Sequence, residues 1–217
     1  MNNEIVILVH GYFKDHHDMT YLKEKLNLVG YKTYTVCLPA TFGSLAECSY
    51  SMFIQIENIL QKYETIHFVG HSMGGLIIQK LLDEKEIPNT GRCIFIATPV
   101  KGAYLADILT LFPFMDRIFK PLKALKTQEQ QGLPRHAPFD IGVIAGTKNN
   151  LLTGKPFLSD KSDGRIEVES TKFDKMTDFI ELPFGHEEIH HRILTVNQID
   201  SFLKKGCFDH SAYMKIR

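Results

Sequence analysis

The sequence predicts an α/β protein with a mainly parallel sheet of about six strands and helices on both faces. Three observations carry that expectation. Six short apolar runs, residues 5–9, 33–38, 66–69, 93–97, 141–145 and 179–182, have strand length and β-branched or aromatic character. Between them lie helical patterns, with Met19, Leu22, Leu26 and Val29 on one face, then Met52, Ile56 and Ile59, and finally Ile189, Ile193, Val196, Ile199 and Leu203. Strand followed by helix, repeated, requires right-handed crossovers and therefore parallel pairing. With 217 residues the chain suits one domain, expected to span 1–217.

The first run, 5–9, is a near-continuous β-branched stretch, as expected of a strand buried on both faces. It begins too close to Met1 for a signal peptide, so a cytoplasmic location is expected. The run 33–38 reads as a second buried parallel strand. The run 66–69 leads into Gly70-His71-Ser72-Met73-Gly74-Gly75 and the helical stretch 76–82. After the run 93–97, residues 102–140 separate two strands by more than a crossover helix needs. Rich in Leu, Phe and Pro, that segment is expected to be a cap or lid insertion, or else a pair of ordinary packing helices. Within it, 104–119 is nearly apolar, but Asp107, Pro113, Asp116 and Arg117 interrupt it, so no membrane span is expected.

Charge and cysteine content exclude other classes. Lys plus Arg and Asp plus Glu each number 25, and the basic residues form no run, so nucleic acid is not an expected partner. Cys37, Cys48, Cys93 and Cys207 lack CxxC or zinc-ribbon spacing and are expected to be free, buried thiols.

The chemistry concentrates in two glycine turns. Gly70-His71-Ser72-Met73-Gly74 is a G-x-S-x-G pattern between a strand and a helix, the context of a nucleophile elbow. A side chain at Gly70 or Gly74 would collide with neighbouring backbone, while the turn exposes Ser72 at the sheet's C-terminal edge and aims a helix N-terminus at the reacting oxygen. The second turn, His10-Gly11-Tyr12-Phe13, ends the first strand. It suits an oxyanion hole built from the N–H groups of Tyr12 and Met73, where each donor stabilises developing charge by roughly 3 kcal/mol.

The motifs Leu8-Val9-His10-Gly11, the Ser72 elbow and Ala97-Thr98-Pro99-Val100-Lys101-Gly102 resemble the small bacterial esterases and lipases of the α/β-hydrolase superfamily. So do Ser162-Asp163-Gly164-Arg165-Ile166, Gly185-His186-Glu187-Glu188-Ile189 and the closing 202–208. The resemblance spans nearly the whole chain and implies the α/β-hydrolase fold and a serine, acid, histidine order. Two departures stand out: Ala97 replaces the usual glycine, and the strands that precede the first motif strand in larger members have no counterpart here. On this pattern Asp163 is the expected acid, with Asp160 its near rival and Asp174 and Asp178 less apt because they precede a strand. His186 is the expected base. His190 and His191 are alternatives placed in the final helix, where a histidine is ordinarily a surface or core-edge residue. His10 and His71 are expected to be structural neighbours held by local hydrogen bonds, and His16 and His17 to face solvent.

His186-Glu187-Glu188-Ile189-His190 also spells the zinc-peptidase pattern H-E-x-x-H. That pattern needs both histidines in one helix, whereas Pro183 and Gly185 put His186 before the helix start. The expected activity is hydrolysis of a carboxylic ester through an acyl-enzyme on Ser72, with no cofactor and no metal required. Phe13, Leu109, Phe112 and Phe114 are candidate substrate contacts for a small-molecule or lipid ester, with transient contact to a lipid surface. Thioesterase, amidase and acyltransferase activities would use the same residues, and a hydrolase-fold binding module without catalysis is the alternative from another class.

Overall fold

A computed structural model of the chain describes residues 3–101, 139–149 and 161–211. Six strands, β1 (Glu4–Val9), β2 (Lys32–Thr35), β3 (Thr65–His71), β4 (Thr90–Ile96), β5 (Ile141–Gly146) and β6 (Asp178–Leu182), form one sheet in the order β2-β1-β3-β4-β5-β6. Every adjacent pair is parallel. All six predicted runs are strands. The second is shorter than its apolar run because Val36–Leu38 peel away, held by Val36 N–H to the Leu8 carbonyl and Leu38 N–H to Nε2 of His10.

Among the described residues the α-helices are α1 (Thr20–Leu28), α2 (Leu45–Lys62), α3 (Met73–Glu84) and α4 (Ile193–Lys205). Because strand side chains alternate between faces, each central strand feeds two cores. Ile5, Ile7 and Val9 pack with Met52, Ile56, Ile77 and Leu81 of α2 and α3, whereas Val6 and Leu8 pack with Leu22, Leu26, Val196, Ile199 and Phe202 of α1 and α4. Helices therefore cover both faces. Ser44 caps α2 by accepting from Glu47 N–H, and the Glu47 carboxylate accepts from Ser44 N–H in return. Gly206, with φ 76°, ends α4 in the left-handed conformation.

Three expectations need correction. Val29 lies past the end of α1 and is exposed. Ile189, His190 and His191 form a separate 3-10 turn, because Arg192 is extended (φ −117°, ψ 136°) and α4 starts only at Ile193, itself exposed. His190 is fully buried by that turn, unlike an ordinary helix-surface histidine. All four cysteines are free, but only Cys48 and Cys93 are buried; Cys37 and Cys207 are exposed. The cap expected over 102–140 falls almost wholly outside the described residues, as do Leu109, Phe112 and Phe114. Among the described residues no helix is long and apolar enough to cross a membrane.

The two kinds of stabilising element predict different costs. Ser44→Ala should lose about 1 kcal/mol through the cap. Phe202→Ala, which empties a fully buried ring position between α4 and the sheet, should lose about 4 kcal/mol. Urea unfolding of both variants checks the ranking, and equal losses would mean that α4 does not anchor its face of the sheet.

Candidate active site

Ser72 stands between β3 and α3 with φ 54° and ψ −125°, a backbone conformation that a residue with a Cβ rarely adopts. The geometry explains the flanking glycines. A Cβ on Gly70 would lie 2.5 Å from Gly75 N, and one on Gly74 would lie 2.2 Å from the Val9 carbonyl oxygen. The turn can close only where both positions lack side chains. Gly75 is equally constrained, because its Cβ would meet Thr98 Oγ1 at 2.2 Å. Ala97, just before Thr98, has φ 50°, the left-handed region that glycine occupies without strain, which accounts for glycine being the usual residue there.

Asp163 and His186 arrive from the loops beyond β5 and β6. His186 Nδ1 donates to Asp163 Oδ2 at 2.7 Å, and Nε2 lies 3.0 Å from Ser72 Oγ, placed to accept its proton. All three side chains are largely buried. The other carboxylate oxygen of Asp163 accepts from the backbone N–H groups of Arg165 (2.9 Å) and Ile166 (2.7 Å), and His186 N–H donates to the Asp163 carbonyl. Asp163 and His186 are thus tied together through backbone as well as side chain. Gly146, at the end of β5, leaves room for the acid, since a Cβ there would lie 2.7 Å from that of Asp163.

The turn after β1 lies against the serine: a Cβ on Gly11 would sit 3.0 Å from Ser72 Cβ. Tyr12 follows it, half-buried, its ring edge-to-face with Phe13, and burial pushes the Tyr12 hydroxyl up to about 12. Phe13 is exposed with φ 59°. Met73 opens α3, whose first N–H groups have no acceptor within the helix. His10 and His71 occupy the structural positions expected of them. His10 Nδ1 bonds the Gly11 carbonyl while Nε2 accepts from Leu38 N–H, and His71 Nε2 donates to the His186 carbonyl at 3.1 Å.

Of the rivals, Asp160 lies outside the described residues, and Asp178 is engaged at the start of β6 by Phe208 N–H and His210. Asp174 sits in the turn before that strand. His16 and His17 are exposed. The H-E-x-x-H pattern is not realised on one helix, since His186 lies on a loop bonded to Asp163 and His190 lies in the 3-10 turn.

Sequence reasoning missed a charged clasp at the mouth of the site. Glu187, next to His186, pairs with Lys14 (2.5 Å), two residues beyond Tyr12, and with Arg165 (2.6 Å), two residues beyond Asp163. Burial opposes its ionisation, but Lys14 and Arg165 outweigh that and hold its carboxyl below the usual range. One carboxylate thereby joins the loops carrying Tyr12, Asp163 and His186. No local pattern announces contacts between residues so far apart in the chain. Glu187→Gln should accelerate amide exchange in 163–166 and 184–188 while leaving the slow amides of β3 and β4 unchanged. Unaltered exchange in both loops would show that the pairs hold nothing together.

The family model of the alpha/beta hydrolase family matches residues 6–179. No curated protein matches by sequence. The fold is similar to that of the mature lipase BlEst2 of Bacillus licheniformis, at 17% identity and a TM-score of 0.78, covering 92% of this chain and 90% of that one. It is similar also to the esterase EaEST of Exiguobacterium antarcticum (16% identity, TM-score 0.68, 94% and 93% covered). A third similar structure is the phospholipase PlaB of Legionella pneumophila (17% identity, TM-score 0.63), of which the match covers 53% against 86% of this chain. With four fifths of its length matched, the chain belongs to the alpha/beta hydrolase family.

Proposed function

We propose that the protein is a serine hydrolase that cleaves carboxylic esters through an acyl-enzyme. The observation that carries this proposal is the continuous chain from Asp163 Oδ2 through His186 to Ser72 Oγ, at 2.7 and 3.0 Å. As Ser72 Oγ attacks the ester carbonyl carbon, its proton passes to His186 Nε2. The imidazolium is stabilised by ionised Asp163, whose second oxygen is already committed to two backbone donors. The carbonyl oxygen, now an anion, accepts from the N–H groups of Tyr12 and Met73. Collapse breaks the bond to the alcohol, which leaves with the proton from His186. Water then attacks the acyl-enzyme by the same route, returning the proton to Ser72 and releasing the acid.

Lipase, esterase and phospholipase among the similar structures support a lipid or small-molecule ester as substrate. Phe13, exposed beside Tyr12, supports an apolar contact for the acyl chain, to which Leu109, Phe112 and Phe114 of a 102–140 cap would add. The exposed thiols of Cys37 and Cys207 suit a reducing, cytoplasmic compartment.

A fluorophosphonate probe should label the protein at Ser72, and Ser72→Ala should lose both label and turnover, the latter by roughly 10⁶. Asp163→Asn should keep the fold but lose about 10⁴ in turnover, because an amide cannot hold the imidazole in the required tautomer. Labelling of folded Ser72→Ala, or wild-type turnover in Asp163→Asn, would dismiss the assignment.

On a p-nitrophenyl ester panel, activity should rise from acetate toward medium chains, at about 0.8 kcal/mol for each methylene buried. Phe13→Ala should flatten that rise. A profile already flat from two to ten carbons in the wild type would remove the apolar acyl contact from the proposal.

A further inference from the structure

Beside His186 lies a second group of titratable side chains that the ester chemistry does not use. Asp18 follows the turn of β1, His71 precedes the nucleophile, and His190 sits in the 3-10 turn. Asp18 Oδ2 lies 3.0 Å from His190 Nε2 and 3.9 Å from His71 Nδ1. The three donor atoms lie within 4.8 Å of one another.

Their hydrogen bonding is incomplete in an informative way. A carbonyl can only accept, so His71 Nε2, bonded to the His186 carbonyl, carries the hydrogen. With that hydrogen on Nε2, the Nδ1 of a neutral His71 ring carries a lone pair. That lone pair faces a carboxylate oxygen, and both atoms are buried without a hydrogen-bond partner among the described residues. Neither nitrogen of His190 has a full hydrogen bond either, although Nε2 lies 3.0 Å from Asp18 Oδ2. Two acceptors facing each other in a buried place need an electropositive atom between them. Lys14 Nζ and His191 Nε2 each come no nearer than 3.7 Å, and both lie on the other oxygen, Oδ1.

We propose that Asp18, His71 and His190 form a binding site for a divalent transition-metal ion of the zinc class. Two imidazoles and a carboxylate are a donor set that such ions favour, with water completing the coordination. Ligands at ~2.0–2.1 Å around a tetrahedral zinc lie about 3.3 Å apart, between the two separations found here. The His71 and His190 rings are stacked at 3.8 Å and 24°, so sharing an ion requires one of them to turn. His190 turns, since no hydrogen bond fixes its ring. The ion lies outside the reacting atoms and engages the second histidine of the H-E-x-x-H run, not the first. Its effect is to fix His71, and through the Nε2 bond the backbone of His186.

The test uses full-length protein purified without a polyhistidine tag, stripped with chelator and titrated with Zn²⁺ by calorimetry and with Co²⁺ by visible absorption. One sub-micromolar equivalent is expected, with a rise in Tm on binding and the d–d bands of a nitrogen and oxygen ligand set. Asp18→Asn and His190→Gln should each weaken binding by about 100-fold or more, while His186→Ala and Ser72→Ala bind as the wild type does. Failure of the serine assignment would therefore leave this result untouched. The exposed trio Asp15, His16 and His17 is the competing site, and the double variant His16→Ala/His17→Ala should retain the tight equivalent. Asp18→Asn is nearly isosteric and keeps the test open should His190→Gln fail to fold. A flat titration, binding that survives Asp18→Asn, or binding lost with His16 and His17 would each overturn the proposal, leaving a proton or a water between the two acceptors.

Discussion

The site depends on one close approach, that of the turn 70–75 to the end of β1. Gly74 lies so near the Val9 carbonyl that not even a methyl group fits between them. The same contact sets the serine at φ 54°, starts α3 beneath it, and brings Gly11 against its Cβ. Ser72 N–H closes the turn on the other side by donating to the Ile96 carbonyl of β4. Three neighbouring strands, β1, β3 and β4, thus fix one hydroxyl. Because all six strands are parallel, their C-terminal ends lie on one edge, where Asp163 and His186 come within hydrogen-bond reach of each other and of Ser72.

Around that hydroxyl the protein keeps lysine and arginine side chains at a distance. Burial lowers the imidazoles of His10, His71 and His190, and each is held by neutral backbone or stacked on another ring. Asp18 stays ionised despite burial, through its contact with His190 and the charges of His190, Lys14 and His191. The outward charges, Lys14, Arg165 and Glu187, form the clasp at the rim, where water screens them. Apart from the carboxylates of Asp163 and Asp18, imidazoles and backbone dipoles surround the hydroxyl, and the remaining charges lie at the edge.

Much of the fold was legible because its signals are local. Six β-rich runs became six strands, and glycine spacing located the elbow, since a turn that tight writes its steric demands into adjacent residues. The pairing of Asp163 with His186 was legible only through resemblance, for an aspartate in a loop carries no mark of what it faces. The end of the chain misled. Ile189 and Ile193 keep helical spacing, yet the extended backbone at Arg192 divides them, and periodicity alone cannot register one residue leaving the helical region. Asp18, Glu187 and the burial of His190 were invisible for a related reason. Their roles come from contacts between loops after different strands, which only the sheet order creates.

Ser72 occupies the N-cap position of α3, where serine ordinarily accepts a hydrogen bond from the first turn, yet its side chain makes no such bond. The helix forgoes about 1 kcal/mol of capping, and the residue keeps a strained backbone besides. Glycine would relieve the strain and forfeit no cap. A lineage that drifted away from chemistry at this position would gain backbone freedom by discarding the hydroxyl, at the loss of one hydrogen bond to His186. Neither the backbone nor the helix end gives a reason for a serine here, so its presence in this chain has to be explained by what the oxygen does toward His186.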